Sequence, residues 1–504
     1  MITRISMLLV LLTMMYGPGQ NSFAKEGDAF QGRYDVFSSF HIKGAGGTDF
    51  MELAAKYGAN TIRTWRISDD TGQWLEDADK LNQKLILGIW MPHQGRNGIE
   101  GKTAYDFDYR KRREEMLKKL DSHLDAYDDH SALLMWGLGN EVHLEEQYLT
   151  TVNEMAKRIH RRNPHRLTCI VIINAPKKSI DLIKQHAPEV DMIGVNAYSK
   201  GAMQTAINNL EKHWKKPYYF SEYSHRGPWA AKKGATDHAL ELTPFAKVQQ
   251  LREANPMIKV GKNNTGGVVF VWGEHKRGMG TWFSLLLPED PRELLREKDS
   301  PLVTPMADEM HRFWTGKEPS NRAPVIERLT LGGTDQGIEV SEHEKLKVVV
   351  TANDPDNDLL TYRYLIFRAR GNDKGKLVWG PVKGTSQTKV EVPPAPGDYR
   401  LYCQVLDGRG KGTVHHVPFR IVGSTDSDGT RGAPDDKKSI QTEAIFQKRD
   451  KDKDERLTLK EFIANAYGEQ KAGAERRFTW SDKDQDGHVT LDEFKATWGK
   501  VLRK

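Results

Sequence analysis

The sequence of 504 residues predicts a multidomain chain: a (β/α)8 TIM barrel, then a small all-β sandwich, then an all-α EF-hand pair. Three observations support this division. Eight short apolar segments alternate with helical segments up to residue 318, alternating β-type segments follow up to residue 423, and two acidic loops come after residue 440. The chain also exceeds the roughly 250–300 residues that one hydrophobic core supports, so several domains are expected.

The N-terminal residues 1–24 have the pattern of a secretory signal peptide. Arg4 precedes an apolar stretch at 7–16, and the small residues Ser22 and Ala24 have the spacing of a cleavage site. The apolar stretch is shorter than the roughly 20 residues of a spanning helix, and no later segment is long and apolar enough. We therefore expect a secreted or periplasmic protein without a membrane span.

Composition narrows the partners and marks the domain boundaries. The formal net charge is +6, and basic and acidic residues are interspersed, so we expect no nucleic acid partner. Two cysteines, Cys169 and Cys403, cannot form a disulfide framework. Turn-rich stretches around 317–323 and 423–438 interrupt the pattern. The predicted domains are a barrel at 25–318, a sandwich at 319–423, a flexible linker at 424–439 and an EF-hand pair at 440–504.

The predicted barrel consists of eight strands separated by segments with helical spacing and charged faces. The strands are 40–46, 61–65, 84–91, 133–141, 167–173, 191–198, 218–223 and 266–273. Near-continuous apolar strands that alternate with helices are typical of a parallel sheet covered on both faces. Eight such units in fewer than about 300 residues match a closed barrel. The alternative is an open doubly wound sheet, but no glycine-rich phosphate motif follows the first strand.

Two glutamates end predicted strands. Glu141 closes LLMWGLGNE at the end of the fourth strand, and Glu222 lies in YYFSEY on the seventh. In a barrel of this kind the chemistry lies where strands end and loops begin, so the two carboxylates should face each other across the mouth. A carboxylate is rarely buried without a partner. Paired carboxylates in unequal environments are what glycoside hydrolysis requires, one protonated and one ionised.

Other strand ends carry side chains suited to binding a sugar. The predicted substrate-binding residues are Arg63, His93, Asn140, Asn196, Tyr198 and Trp272. An indole face is an apolar platform for a pyranose, while amide and guanidinium groups hydrogen-bond its hydroxyls. Two alternatives stay open at this point: His93 as an ordinary loop histidine, and Asn140 as a cap of the following segment.

These residues resemble those of the clan A retaining glycoside hydrolases, which include families 2 and 5 and the related glucanosyltransferases. The resemblance covers residues 38–316 and depends on WGLGNE, FSEY, IRTW, GVNAY and FVWG. It implies that Glu141 is the acid/base, that Glu222 is the nucleophile and that Asn140 binds the 2-hydroxyl of the substrate. It also implies that Arg63 and Tyr198 orient and ionise Glu222.

The resemblance implies a secreted retaining glycoside hydrolase that acts by double displacement on a β-linked polysaccharide or oligosaccharide, with no cofactor for catalysis. Two alternatives remain. One is a transglycosylase of the β-glucanosyltransferase type. The other is a non-catalytic protein that binds glycan or attaches to a surface.

The predicted sandwich contains five alternating segments separated by turns. They are 345–352, 360–369, 388–393, 399–407 and 415–422. The stretches TANDPDNDLLTYRY and GDYRLYCQVLDGRGK resemble cadherin-like or immunoglobulin-like modules. Such a module is a spacer or a contact for glycan or the cell surface. The aspartates at its turns are calcium ligands or simply turn formers, and they are Asp354, Asp356, Asp358 and Asp407.

The C-terminal segment contains two loops with the spacing of EF-hand calcium ligands. The loop DKDQDGHVTLDE supplies Asp482, Asp484, Asp486, His488, Thr490 and Glu493, where His488 uses its carbonyl oxygen. The loop DKDKDERLTLKE supplies Asp450, Asp452, Asp454, Arg456, Thr458 and Glu461, again with a carbonyl from Arg456. Glu455 stands where Gly487 stands in the other loop, so we expect weaker calcium binding there. The expected role of calcium is structural.

Overall fold

The structure is a computed structural model that describes residues 31–91, 109–142, 144–275, 280–296, 299–370, 373–423, 446–447, 449–452, 454–462, 478–484 and 486–494. The predicted signal peptide at 1–24, His93 and the predicted linker at 424–439 lie outside these residues. The chain divides into two compact units, 1–423 and 424–504.

The first unit begins with a closed barrel of eight parallel strands in sequence order. The strands are β1 (Ile42–Gly46), β2 (Thr61–Arg63), β3 (Lys84–Ile89), β4 (Leu133–Leu138), β5 (Leu167–Ile173), β6 (Met192–Asn196), β7 (Tyr218–Tyr223) and β8 (Asn264–Val269). The barrel closes where β1 pairs with β8, with Ile42 opposite Gly266. A Cβ on Gly266 would lie 2.3 Å from the Ile42 carbonyl oxygen, so this closure requires glycine.

Helices follow the strands and cover the barrel. They are α1 (Met51–Lys56), α2 (Thr71–Lys80), α3 (Tyr109–Tyr127), α4 (Glu146–Arg162), α5 (Lys177–His186), α6 (Lys200–His213), α7 (Pro244–Ala254) and α8 (Pro305–Thr315). Their apolar faces join the outward side chains of the strands in one large hydrophobic cluster, which includes Trp136, Ile159, Ile183, Leu210 and Leu251. Burial of such faces is the main source of helix stability in proteins. The predicted (β/α)8 barrel is confirmed. In the part of the chain that the structure describes, no helix is long and apolar enough to cross a membrane.

The remainder of the first unit is β-structure. A short pair, β9 (Leu286–Leu287) and β10 (Leu302–Val303), precedes α8. Two larger sheets follow, in the orders β11-β13-β16 and β12-β18-β17-β14-β15. Their strands are β11 (Val325–Leu331), β12 (Ile338–Ser341), β13 (Lys345–Asn353), β14 (Thr361–Arg370), β15 (Asp373–Gly384), β16 (Gln387–Glu391), β17 (Gly397–Leu406) and β18 (Gly412–Val422).

Both larger sheets contribute to one hydrophobic cluster, in which Leu329 and Val348 of the first sheet join Leu401 and Phe419 of the second. The five predicted segments correspond to β13, β14, β16, β17 and β18. Three further strands, β11, β12 and β15, complete the sheets. The assignment of these sheets to an immunoglobulin-like or cadherin-like sandwich stays a prediction.

In the second unit, the described residues form an antiparallel pair, β19 (Arg456–Thr458) and β20 (His488–Thr490). A short helix, α9 (Leu459–Phe462), follows β19. Four phenylalanines pack with Leu457 and Val489 around this pair, and they are Phe446, Phe462, Phe478 and Phe494. The strand pair and the aromatic cluster join the two acidic loops. The helices predicted for an EF-hand pair extend into residues outside the described ranges.

Candidate active site

Glu222 is a carboxylate at the barrel mouth with three side-chain donors. It is the next-to-last residue of β7, and its side chain is only 6% exposed. Its Oε1 accepts hydrogen bonds from Arg63 Nη1 at 3.0 Å and from Trp65 Nε1 at 2.7 Å, and its Oε2 accepts one from the Tyr198 hydroxyl at 2.7 Å. Donors directed at a carboxylate stabilise its ionised form and fix its orientation. The three donors therefore fix the orientation of the Glu222 carboxylate.

Tyr198 keeps its proton throughout the physiological range. Burial raises the pKa of its phenol well above the usual value of 10.0, and the adjacent Glu222 carboxylate raises it further. The phenol is therefore a hydrogen-bond donor to Glu222. A neutral donor at this place positions the carboxylate without adding a second charge.

Glu141 joins the same network through two asparagines. Asn196 donates from Nδ2 to Glu141 Oε1 at 3.2 Å and to Asn140 Oδ1 at 3.3 Å. Asn140 Oδ1 also accepts from Arg63 Nη2 at 2.7 Å, so one guanidinium connects the surroundings of both carboxylates. Ser221 holds the Asn196 amide in place, because its hydroxyl donates to Asn196 Oδ1 at 2.8 Å. The structure thus brings together four of the predicted residues around the two glutamates, and they are Arg63, Asn140, Asn196 and Tyr198.

The backbone turns sharply where Glu141 leaves β4. The strand ends at Leu138, and both Gly139 (φ 85°) and Glu141 (φ 49°) have left-handed backbone conformations. A non-glycine residue in this region is under strain of about 1–3 kcal/mol, which the surrounding structure must offset. A Cβ on Gly139 would lie 2.4 Å from Val142 Cγ1, so this tight turn has no room for a larger residue. The turn aims Glu141 at the mouth and away from the helical layer.

The structure contradicts the predicted sugar contact of Trp272 and does not describe His93. Trp272 is 1% exposed, its indole donates to the Phe50 carbonyl at 3.2 Å, and its ring packs against Tyr57 and Trp314. An indole so enclosed offers no face to a sugar, so the platform expected at Trp272 does not fit this structure. His93 lies outside the described residues.

Three aromatic residues that the sequence analysis did not select belong to the Glu222 network or pack against it, and they are Trp65, Phe270 and Phe283. Phe270 packs edge-on against Trp65 and Tyr198, with ring centroids 5.7 Å and 6.0 Å away, and Phe283 lies 5.2 Å from Tyr198. Trp65 could have been predicted as a site residue from the sequence. Residues two apart on a strand point to the same side, and Trp65 is two residues after Arg63. Phe270 and Phe283 follow β8, where loop conformation decides what faces the mouth.

The two acidic loops of the second unit each bring carboxylates together. Oxygen atoms of Asp450, Asp452 and Glu461 lie within 4.8 Å of one another, as do those of Asp482, Asp484 and Glu493. Clusters of oxygen ligands are what Ca²⁺ prefers. Asp482 also has a buried oxygen, Oδ1, with no hydrogen-bond partner among the described residues. The donor set therefore fits a hard divalent cation.

The other predicted calcium ligands lie around these clusters. The backbone N–H groups of Arg456 and His488 donate to Asp454 and Asp486, at 2.9 Å and 2.8 Å. The closing glutamates have matching contacts in the two loops: Thr458 donates to Glu461 at 2.8 Å, and Thr490 donates to Glu493 at 2.9 Å. Both loops have a left-handed backbone at the same position, with φ 65° at Glu455 and φ 86° at Gly487, and only glycine adopts this conformation without strain.

Three of the four turn aspartates near the sheets also converge. Oxygen atoms of Asp354, Asp358 and Asp407 lie within 4.8 Å of one another. Asp356 instead forms an ion pair with Arg322 at 2.7 Å. Arg409 contacts Asp358 at 3.0 Å, so part of this cluster is already neutralised within the chain.

The family model that matches this chain agrees with the barrel. The model of the glycosyl hydrolases family 2 TIM barrel domain matches residues 53–244, which is less than half of the chain. No curated protein matches the sequence. Among solved structures, β-glucuronidase 2 of Bacteroides uniformis is 15% identical with a TM-score of 0.40, covering 76% of this chain and 46% of that chain. The chain spans about half the length of that enzyme.

Two further solved structures are matched over almost the whole of their own chains. The GH53 catalytic domain of Ignisphaera aggregans is 13% identical with a TM-score of 0.39, over 59% of this chain and 98% of that chain. An α-L-arabinofuranosidase of Thermotoga maritima is 10% identical with a TM-score of 0.37, over 75% of this chain and 96% of that chain. Likenesses with such TM-scores carry no argument about substrate.

The closed barrel contains the whole of the segment that the family model matches. Within it, residues 53–244 are similar to the TIM-barrel domain of family 2 glycosyl hydrolases.

Proposed function

We propose that this chain is an exported retaining glycoside hydrolase that acts on a β-linked polysaccharide or oligosaccharide. Glu222 is the nucleophile in this proposal and Glu141 is the acid/base. The observation that carries it is the set of donors at Glu222, to which Glu141 is connected. Glu222 accepts from a guanidinium, an indole and a phenol, and Asn196 connects Glu141 to the same network. Retaining hydrolysis needs an ionised nucleophile and a nearby proton donor, and these donors favour Glu222 as the nucleophile.

The reaction then has two steps. In the first, a Glu222 oxygen attacks the anomeric carbon while Glu141 donates its proton to the departing glycosidic oxygen, giving a covalent glycosyl-enzyme. In the second, Glu141 accepts a proton from water, and the oxygen of that water displaces Glu222 from the anomeric carbon. Each displacement inverts the anomeric centre, so the product retains the configuration of the substrate.

The donors around Glu222 have a specific part in this sequence. They stabilise the carboxylate before attack and again when it departs, while Arg63 also fixes Asn140 close to the bond that breaks. Asn140 is then placed to hydrogen-bond the 2-hydroxyl of the sugar. Contacts to this hydroxyl strengthen in the transition state and contribute several kcal/mol in related reactions.

The proposal also covers the regions outside the barrel. The two acidic loops hold structural calcium, supported by the convergence of their carboxylates and by the unpartnered buried oxygen of Asp482. The sheets at 319–423 are a sandwich-type spacer. Export is supported by the sequence pattern of residues 1–24.

The experiment combines a substrate screen with replacement of each glutamate. Purified protein is assayed on β-linked glucans, mannans and galactans and on the corresponding aryl β-glycosides. On any substrate that is cleaved, Glu222→Ala should lower kcat by roughly four orders of magnitude or more, because removal of a covalent nucleophile leaves only binding and positioning. Glu253→Ala, a change of the same type at an exposed residue of α7, should leave kcat unchanged.

Azide distinguishes the two glutamates. In Glu222→Ala, azide enters the vacated space and attacks the anomeric carbon directly, so the glycosyl azide has inverted configuration. In Glu141→Ala with an activated aryl glycoside, azide attacks the glycosyl-enzyme, and the product has retained configuration. The reverse assignment of the two products would exchange the proposed roles. Binding of glycan without cleavage by the unaltered protein would favour the non-catalytic alternative.

A further inference from the structure

One exposed tryptophan lies beside the candidate active site. Trp229 is on a single 3-10 turn, Pro228–Ala230, which follows β7 and therefore Glu222. Its side chain is 68% exposed, the highest value among the tryptophans whose side chains the structure describes. Single exposed hydrophobic residues are common, so exposure alone assigns no role. The contacts around this indole supply the further evidence for a role.

The indole is fixed against the protein on one side. Its benzo ring lies over Gly227, where an added Cβ would come within 2.4 Å of ring carbons Cη2 and Cζ2. The ring contacts Tyr198 edge-on at a centroid distance of 5.1 Å and Phe283 at 6.0 Å. Gly227 has φ −81°, which any residue can adopt, so the ring above it is what requires glycine. The indole is therefore an ordered surface whose remaining area is open to solvent.

The support beneath this surface is rigid and uncharged. His225 stacks on Phe283 at 5.2 Å and its Nε2 lies 2.7 Å from the Trp282 carbonyl oxygen, which ties the loop after β7 to the loop after β8. Burial, reinforced by the charge of Lys247, lowers the pKa of His225 to about 3. This contact is thus neutral across the range in which a glycosidase is assayed.

Tyr198 is the shared neighbour of the indole and the nucleophile. Its hydroxyl is 2.7 Å from Glu222 Oε2, and its ring touches Trp229. A sugar bound at Glu222 would therefore have its neighbouring units close to the indole. Aromatic faces bind the C–H side of pyranose rings because the contact removes apolar surface from water.

We propose that Trp229 is a stacking platform for a pyranose unit adjacent to the one that reacts at Glu222. This rests on the proposed function and specifies its substrate class: an oligosaccharide or polysaccharide with at least one sugar beyond the scissile bond. Trp229 binds substrate and takes no part in bond cleavage. Its contribution belongs to binding of longer chains and is absent for a monosaccharide glycoside.

The experiment compares two substrate lengths. Kinetics are measured with the aryl monosaccharide and with a β-linked oligosaccharide of at least four units of the same sugar. Trp229→Ala should raise KM for the oligosaccharide about tenfold and leave both constants for the aryl monosaccharide within about twofold. Trp229→Phe should restore most of the loss. Gly227→Ala, which displaces the ring, should resemble Trp229→Ala, and Trp480→Ala, a half-exposed tryptophan of the second unit, should change neither substrate.

Binding gives a readout that does not need turnover. Calorimetric titration of the oligosaccharide into Glu222→Ala, with and without Trp229→Ala, should show about tenfold weaker binding without the indole. Equal losses for both substrate lengths, or no loss for either, would overturn the platform. If the unaltered protein cleaves nothing but its oligosaccharide binding depends on Trp229, the proposed reaction fails and the platform stands.

Discussion

The barrel mouth and the C-terminal loops both concentrate carboxylates, but they stabilise them in opposite ways. At the mouth, Glu222 is nearly buried, and the donors that neutralise it belong to the chain itself. In the loops, most of the clustered acidic side chains are partly buried, and they lie within 4.8 Å of other acidic side chains, with backbone N–H groups as the main donors. Partners within the chain stabilise a carboxylate without any ligand, whereas like charges that lie together repel one another and are stabilised by a bound cation.

The first prediction concerns a carboxylate with still stronger partners inside the chain. Glu241 is fully buried and contacts Lys247 and His416, and Thr281 donates to it at 2.8 Å. Glu241→Gln leaves the Lys247 ammonium buried without its counter-charge. We expect a loss of about 3–5 kcal/mol in the free energy of unfolding of the first unit, measured by urea titration. Glu253→Gln, an exposed change of the same type, should stay within about 0.5 kcal/mol.

Glu241 also determines how the stability of the folded protein changes with pH. Burial alone would raise the pKa of Glu241, but Lys247 and His416 hold it well below the usual 4.5. A carboxyl with a lowered pKa in the folded state stabilises the protein fully above its unfolded pKa and loses this contribution as the pH falls. The unaltered protein should therefore lose stability below about pH 4.5, and Glu241→Gln should lack that part of the loss. An equal acid dependence in both proteins would contradict the assignment.

The second prediction is that calcium stabilises the second unit. Ca²⁺ at 100 times its Kd should add about 2.7 kcal/mol to the unfolding free energy of that unit, and a chelator should remove it. Differential scanning calorimetry of the full chain, with calcium and with chelator, measures the change.

The two loops provide matched variants for this test. Glu493→Gln should abolish the tighter site and Glu461→Gln the weaker one, since Glu455 occupies a left-handed position that glycine adopts without strain. No heat of calcium binding at millimolar concentration in the full chain would refute the calcium proposal. Equal affinity in the two loops would refute the ranking alone.

The third prediction is the smallest and returns to the barrel mouth. Tyr198→Phe removes one donor to Glu222 and leaves Arg63 and Trp65 in place. We expect a cost of about 1.5 kcal/mol, seen as a roughly tenfold lower kcat, because the lost hydrogen bond stabilises a charged group. Stopped-flow or steady-state assays on an aryl glycoside measure it. A Tyr198→Phe variant with unaltered kcat would show that the phenol does not control the nucleophile.

Much of the barrel was predictable because its strands are apolar almost without interruption. All eight strands lie within a few residues of their predicted positions, and β5 and β7 have the predicted bounds. β11, β12 and β15 were not predicted, since charged and polar residues break their alternation and neighbouring strands supply their pairing. Pairing between distant segments is not visible in local sequence.

The site was predictable where a residue ends a strand and less so where it follows one. Asn196 and Glu222 lie within β6 and β7, so strand geometry alone places them at the mouth. Trp272 comes after β8, which ends at Val269, and the path of the loop carries its indole into the core. Trp229 was missed for the same reason, because its exposure depends on a single turn after β7.

The stereochemistry of the first product tests the central claim most directly. Time-resolved proton NMR of the early reaction on a cleaved β-glycoside distinguishes the two anomers before they equilibrate. A β-configured first product would agree with Glu222 as a covalent nucleophile and Glu141 as acid/base. An α-configured first product would mean direct attack by water, and Glu222 would then not form a glycosyl-enzyme.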